Sequence, residues 1–383
     1  SSSTEAPPTA STSPAAFSAF IAAAVPERGR AVLWHPFLPV PPLLPFPHEL
    51  DGLDSLELVQ LRFRAAGIDR GLRCKKQLQP PLGSCALPEG LQHDVVFEGF
   101  RPGVMEKLGL GPDECFKQNE ALVYGRMTGW GQDGPMSKMA GHDINYIGLS
   151  GALHAIGKKD SNPIIPLNLI GDYGGGGMML AMGILAAVIS SIKTGKGQVV
   201  DSAMIDGSLS LMSLFYSLKE VGFWQDERES NFLDGAAHFY NTYECSDNKF
   251  LAVGSLEPQF YSILLEKLEL NDAKFQDQMN KEIWQELKDL IADKIKSKPR
   301  SHWENVFSDT DGCVTPILNM DEAQENHHNV ARNAFEDIDG FKQPAPAPRF
   351  SVDKLSIKHN SKKVGSDIDN ICEEFNLDRK AFI

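Results

Sequence analysis

Four short stretches of this 383-residue chain hold side chains able to move a proton or meet a negative charge. In AGHDINY, His142 stands between Gly141 and Asp143 in a loop. An imidazole there titrates near neutral pH and can act as a general base, although a lone loop histidine serves equally as a surface or structural residue. In NLIGDYGGGG, Asp172 follows an apolar run and precedes Gly174, Gly175, Gly176 and Gly177, which lead into an apolar helix. Unpaired amides and the helix dipole favour negative charge at such a start. Asp172 is therefore either a proton-transfer group beside an oxyanion site or an N-cap on a helix whose glycines permit close packing. In SLEPQFY, Glu257 directly precedes Pro258, the ordinary position of a helix N-cap. TGKGQVVD supplies a glycine turn into a strand, with Lys196 exposed on it. None of these glycines has the spacing of a dinucleotide or P-loop phosphate cradle.

Alternating strands and helices must position these groups. DVVF (residues 94–97) and ALVYG (121–125) read as short strands, separated by helices that begin at Pro102 and Pro112, where proline suits the first turn. A strand ending near Ile170, a buried helix over 178–192, a strand over 198–201 and a helix from about Met204 continue the alternation. That is the pattern of a parallel sheet with crossover helices, an α/β half. Beyond Phe239, YNTYEC and KFLAVGS flank Ser246, Asp247 and Asn248 as a hairpin would, and helices follow over 258–268, 281–296 and around Trp303. A smaller α+β domain is expected there. Pro344, Pro346 and Pro348 mark a linker before one more helix within 367–383.

Composition narrows the chemistry. The net charge of −14 disfavours wrapping around a polyanion, so bulk nucleic-acid binding is not expected, while a local cationic pocket for one phosphorylated ligand remains compatible. Cys74, Cys85, Cys115, Cys245, Cys313 and Cys372 lie too far apart for a Cys-x-x-Cys pair or a zinc spacing and read as reduced thiols. The apolar stretch over 178–192 is shorter than the ~18 residues that argue for a membrane span. Residues 1–47 are rich in Ser, Thr, Ala and Pro and receive no fold, and an amphipathic helix is expected over 53–67. The first 24 residues contain no arginine and do not read as a transit peptide; the chain opens on Ser1, which implies a processed, truncated or misassigned start.

Taken in order, EGFRPGVMEKLGLGP, GWGQDGP, AGHDINY, PLNLIGDYGGGG, TGKGQVVD and SLEPQFY resemble the family III CoA transferases, the CaiB/BaiF group, and within them the α-methylacyl-CoA racemases. The resemblance runs from about His93 to about Thr315 and returns in GSDIDNICEEFNL. It implies a racemase or epimerase that interconverts (R)- and (S)-2-methylacyl-CoA thioesters by two-base 1,1-proton transfer through an enolate, in branched-chain fatty acid or bile-acid-precursor metabolism. The transferases of this family carry an aspartate nucleophile at the position of Asp172 but lack the histidine and the glutamate, so His142 and Glu257 favour the racemase reading. The alternatives are a CoA transferase with Asp172 as nucleophile, or an inactive relative that no longer binds CoA.

By the same resemblance, His142 serves the S face, Asp172 the R face, and Glu257 hydrogen-bonds the imidazole. Backbone amides near Asp172 would meet the enolate. Gly141, His142, Asp143, Ile144, Asn145 and Tyr146 would form a substrate-contacting loop, with Arg101 and Lys107 near the CoA phosphates. No metal or redox cofactor is implied, because the thioester itself acidifies the α-hydrogen; CoA is part of the substrate. The implied architecture is a Rossmann-like large domain (93–204), a linker (205–243), a small α+β domain (244–332), a second linker (333–351) and a C-terminal return to the large domain (352–383), in an interlocked homodimer that places Glu257 across the interface. Relatives work in mitochondria and peroxisomes, while the ending Lys380-Ala381-Phe382-Ile383 is not of the S-K-L type. Residues 1–92 do not match the family's opening strand and helix, which predicts a sheet short of a central strand and a CoA pocket short of a wall.

Overall fold

The computed structural model describes residues 94–360, 365–375 and 379. Of these, the residues up to 357 belong to one compact unit and those from 358 onward to another. The low-complexity segment, the helix expected over 53–67, and Cys74 and Cys85 lie outside the described residues.

The first half of the unit is a parallel sheet in the order β1 (Val95–Glu98), β2 (Val123–Thr128), β3 (Gln198–Ala203), with Val95 opposite Val123 and Val123 opposite Gln198. Helices α1 (Val104–Lys107) and α2 (Pro112–Gln118) connect β1 to β2. The β2-to-β3 connection carries α3 (Asp143–Leu149), α4 (Ala152–Ala155), a π-helical segment (Leu169–Met178) and α5 (Met179–Thr194). α5 lays Leu180, Ile184 and Ala187 on the sheet around the fully buried Val123. Burying each large aliphatic side chain in this way stabilises the fold by roughly 1.5–3 kcal/mol. After β3 come α6 (Met204–Leu211) and α7 (Ser213–Glu220), inside the stretch read as a linker.

The second half is an antiparallel sheet of β4 (Tyr240–Glu244), β5 (Phe250–Gly254) and β6 (Val314–Ile317), with Asn248 in the left-handed region at the hairpin turn. Against it pack α8 (Pro258–Lys267), α9 (Trp284–Lys296) and α10 (Arg300–Phe307), burying Phe239, Tyr243, Leu264, Leu287, Ile291 and Trp303. Two short helices follow, α11 (Met320–Glu325) and α12 (His327–Ala331), and then a hairpin of β7 (Phe335–Ile338) and β8 (Phe341–Pro344). The proline-marked linker thus begins at the end of a paired strand. In the other unit, α13 (Ile368–Phe375) is the helix expected near the C-terminus.

Two expectations are corrected. No strand ends near Ile170: residues 169–178 form a π-helix that runs directly into α5. The glycines explain it, because at this turn the backbone meets another backbone. A Cβ on Gly207 in α6 would lie 1.8 Å from the carbonyl oxygen of Gly175, so the two segments touch main chain to main chain. The helix over 178–192 is not buried all round either. Leu180, Ile184 and Ala187 face the sheet, while Met182, Leu185, Ile189 and Ile192 are exposed, Ile192 at 80%. The continuous run Leu169–Thr194 is 26 residues long and apolar enough to cross a membrane by length and composition, yet its inner face is committed to the sheet.

Candidate active site

Asp143 joins the two segments that hold the candidate proton-transfer groups. It is the first residue of α3 and is only 5% exposed. Its Oδ2 accepts hydrogen bonds from the amides of Gly171 (2.6 Å) and Asp172 (2.8 Å). Position 171 must be small for this: a Cβ there would lie 2.7 Å from that same oxygen. The Gly171 and Asp172 amides are thus donated to Asp143 and are not among those free to meet an enolate.

Asp172 lies inside the π-helix rather than ahead of it. Its side chain is half-buried, and its Oδ2 accepts from Asn168 Nδ2 at 3.1 Å. His142, exposed, is the N-cap of α3 with extended backbone, and its amide donates to Asn145 Oδ1 at 3.0 Å. The expected loop over 141–146 is therefore a cap and the first turn of a helix, which gives His142 a defined direction relative to Asp143. Ile144 and Asn145 are exposed on that turn, and Tyr146 is buried. The Tyr146 ring packs edge-on to Trp130 with centroids 4.8 Å apart. Side chains at Gly129 or Gly141 would collide with it, which gives the first glycine of GWG and the glycine of AGH a steric reason. Burial raises the Tyr146 phenol above its ordinary value, and the neighbouring charges of Asp172 and Asp143 add to the shift.

Glu257 caps α8 by position but makes no side-chain capping bond. Among the described residues no hydrogen bond or ion pair links it to His142 within the chain. Arg101 and Lys107, both exposed, bracket α1. That helix is tied to the end of β1 through Arg126, whose Nε donates to Glu98 Oε1 (2.8 Å) and whose Nη1 donates to Glu106 Oε1 (2.7 Å). Among the described residues no group of His, Cys, Asp and Glu is arranged to hold a metal ion. Cys115, Cys245, Cys313 and Cys372 are free thiols.

The model of CoA-transferase family III matches residues 92–366 of the chain. The chain belongs to CoA-transferase family III. Its curated relatives include the alpha-methylacyl-CoA racemase of Mus musculus, 45% identical over 259 residues (67% of this chain, 68% of the relative). That of Homo sapiens is 40% identical over 331 residues, covering 83% of this chain and 85% of the relative. Among solved structures, a CAIB/BAIF family protein from Brucella suis superposes with a TM-score of 0.63 at 23% identity, covering 74% of this chain and 76% of the other, and so shares the fold. In this chain the bonds from Asp143 hold the start of α3 beside the start of the π-helix.

Two participants, and the bonding of a third, escaped the sequence reading. Asn168 stands four residues before Asp172, a spacing that puts the two on one helical face and was open to inspection. Arg126 looked like an ordinary strand residue. The bonds from Asp143 to residues 28 and 29 positions along the chain left no local signal.

Proposed function

We propose that the chain is a racemase of 2-methylacyl-CoA thioesters, with His142 and Asp172 as the two proton-transfer groups. The observation that carries this is the Asp143 bridge, which couples the segment of His142 to the segment of Asp172 in a family whose racemases are among this chain's similar relatives. Inverting a carbon that bears an acidic hydrogen requires removal of the proton on one face and delivery on the other. His142 takes the proton from the S face and becomes imidazolium; Asp172, as the carboxylic acid, delivers a proton to the R face of the planar enolate. The reverse direction exchanges the roles. The imidazolium formed next to the thioester supplies positive charge where negative charge develops on its oxygen. Asn168 holds one oxygen of Asp172, leaving the other for the substrate.

Arg101 and Lys107 are proposed to meet the CoA phosphates as exposed cations on an otherwise acidic chain. A homodimer is proposed in which the partner subunit's Glu257 orients His142, consistent with the absence of that bond within one chain. The proposed acyl groups are branched-chain fatty acyl and bile-acid-precursor chains, and the proposed compartment is mitochondrial or peroxisomal. The reaction as written uses no cofactor.

The test is α-proton exchange. Purified protein is incubated in deuterated water with a 2-methylacyl-CoA of known configuration, following deuterium incorporation and epimer ratio. Racemisation with incorporation, lost in His142→Ala and in Asp172→Ala, is expected. Transfer of CoA from the thioester to a free carboxylate, releasing the original acid and without exchange, would establish the transferase instead.

A further inference from the structure

We infer that Asp143 is a positioning residue that sets the R-face proton transfer, by clamping the π-helical turn on which Asp172 is carried. The inference rests on the racemase reading for its catalytic consequence, but the clamp itself is a property of the folded chain. The Asp143 carboxylate is buried with no cationic partner among the described residues, a costly placement. One oxygen is fully used by the Gly171 and Asp172 amides; the other, Oδ1, is buried and makes no hydrogen bond. The side chain therefore neither caps its own helix nor forms an ion pair. All of its bonding is directed at the two amides that enter the turn of Asp172.

Beyond Asp172 the π-helix is held by main-chain packing of Gly175 on Gly207, whereas at its start the Gly171 and Asp172 amides are held from the side by Asp143. A side chain held only at Asn168 would still swing with the turn. Because Asp143 is the residue after His142, its bonds also fix the spacing of the two proton-transfer groups. His142 itself is held differently, by its own amide on Asn145. Releasing the clamp should therefore displace Asp172 and leave His142 in place.

The experiment compares wild type with Asp143→Ala and Asp143→Asn, after thermal melts establish that each is folded. Amide hydrogen exchange over 169–174 is read without ligand. Asp143→Ala is expected to lose protection there while the strands over 123–128 keep theirs; Asp143→Asn, whose amide oxygen still accepts both bonds, is expected to keep it. In deuterated water, Asp143→Ala is expected to incorporate label from (S)-2-methylacyl-CoA with retained configuration, because His142 removes and returns the proton on one face. Incorporation from the (R) epimer and racemisation should fall on the order of 100-fold, as a displacement of about 1 Å does at a reacting group. Asp143→Asn should restore most of the loss. Unchanged protection in Asp143→Ala, or an equal fall of incorporation from both epimers, overturns the inference. Should the wild type itself neither exchange nor racemise, the racemase reading falls, while the protection data still decide the clamp.

Discussion

Arg126 and Glu98 form a nearly dry ion pair, Nε to Oε1 at 2.8 Å, with side chains 7% and 2% exposed. It anchors the end of β1, where Glu98 also accepts the Phe100 amide at 2.6 Å, to the sheet beneath α1. Burial raises the Glu98 carboxyl above its ordinary value, outweighing the lowering by the Phe100 amide and by Arg126. The half-exposed Glu106 is lowered instead, first by its hydrogen bond from Arg126. Desolvation thus dominates at Glu98, and the pair is costly to bury but worse to break.

Arg126→Leu is accordingly expected to destabilise the protein by about 3–5 kcal/mol, because it strands Glu98 as an uncompensated buried charge. The double variant Arg126→Leu/Glu98→Leu removes both charges and should recover more than half of that loss. Urea denaturation of the two variants at pH 7 reads the difference; equal destabilisation would mean that the pair contributes through attraction rather than through compensation.

Gly207→Ala tests the main-chain contact that holds the π-helix. The new Cβ would fall 1.8 Å from the Gly175 carbonyl oxygen and 2.5 Å from its carbon, so no side-chain rotation relieves the clash and a backbone must move. Overpacking of this type typically costs about 1–3 kcal/mol, and here more is expected because both partners are main chain. The displaced segment carries Asp172, so racemisation should fall further than the melting temperature alone explains. Gly340→Ala, in open space though at positive φ, gives the comparison: strain with no effect on the site.

The sheets were legible because their strands are apolar runs bounded by proline, glycine and polar turns, and β1, β2, β3 and the β4–β5 hairpin lie within a few residues of where those runs end. The π-helix was not. A run of four glycines reads as a loop, and only the meeting with Gly207, more than 30 residues away, makes it a tight helical contact. The one-sided burial of α5 was hidden by its composition, which is apolar on every face and so gives no direction. At the site, His142, Asp172 and Glu257 were singled out by motif, but the bond that holds the turn of Asp172 comes from Asp143, 28 and 29 positions away, which periodicity does not encode.

His238 gives the fold a sensitivity to acid away from the site. It is fully buried between Phe239, Tyr261 and Phe275; Nε2 lies 2.7 Å from the Tyr261 hydroxyl, and Nδ1 makes no hydrogen bond. Burial pushes its pKa down to about 4, against about 6.5 in an unfolded chain. The unfolded state therefore binds the proton more tightly. The stability tied to neutral His238 is fully present above pH about 6.5 and is lost as pH falls, levelling off below about 4. A gap of that size corresponds to on the order of 3 kcal/mol across the window. His238→Gln keeps a nitrogen able to bond Tyr261 and does not titrate, so its urea midpoint should fall less than that of wild type between pH 6.5 and pH 4. Parallel curves for the two proteins would show that His238 is neutralised in the unfolded chain as well, or that other groups carry the acid response.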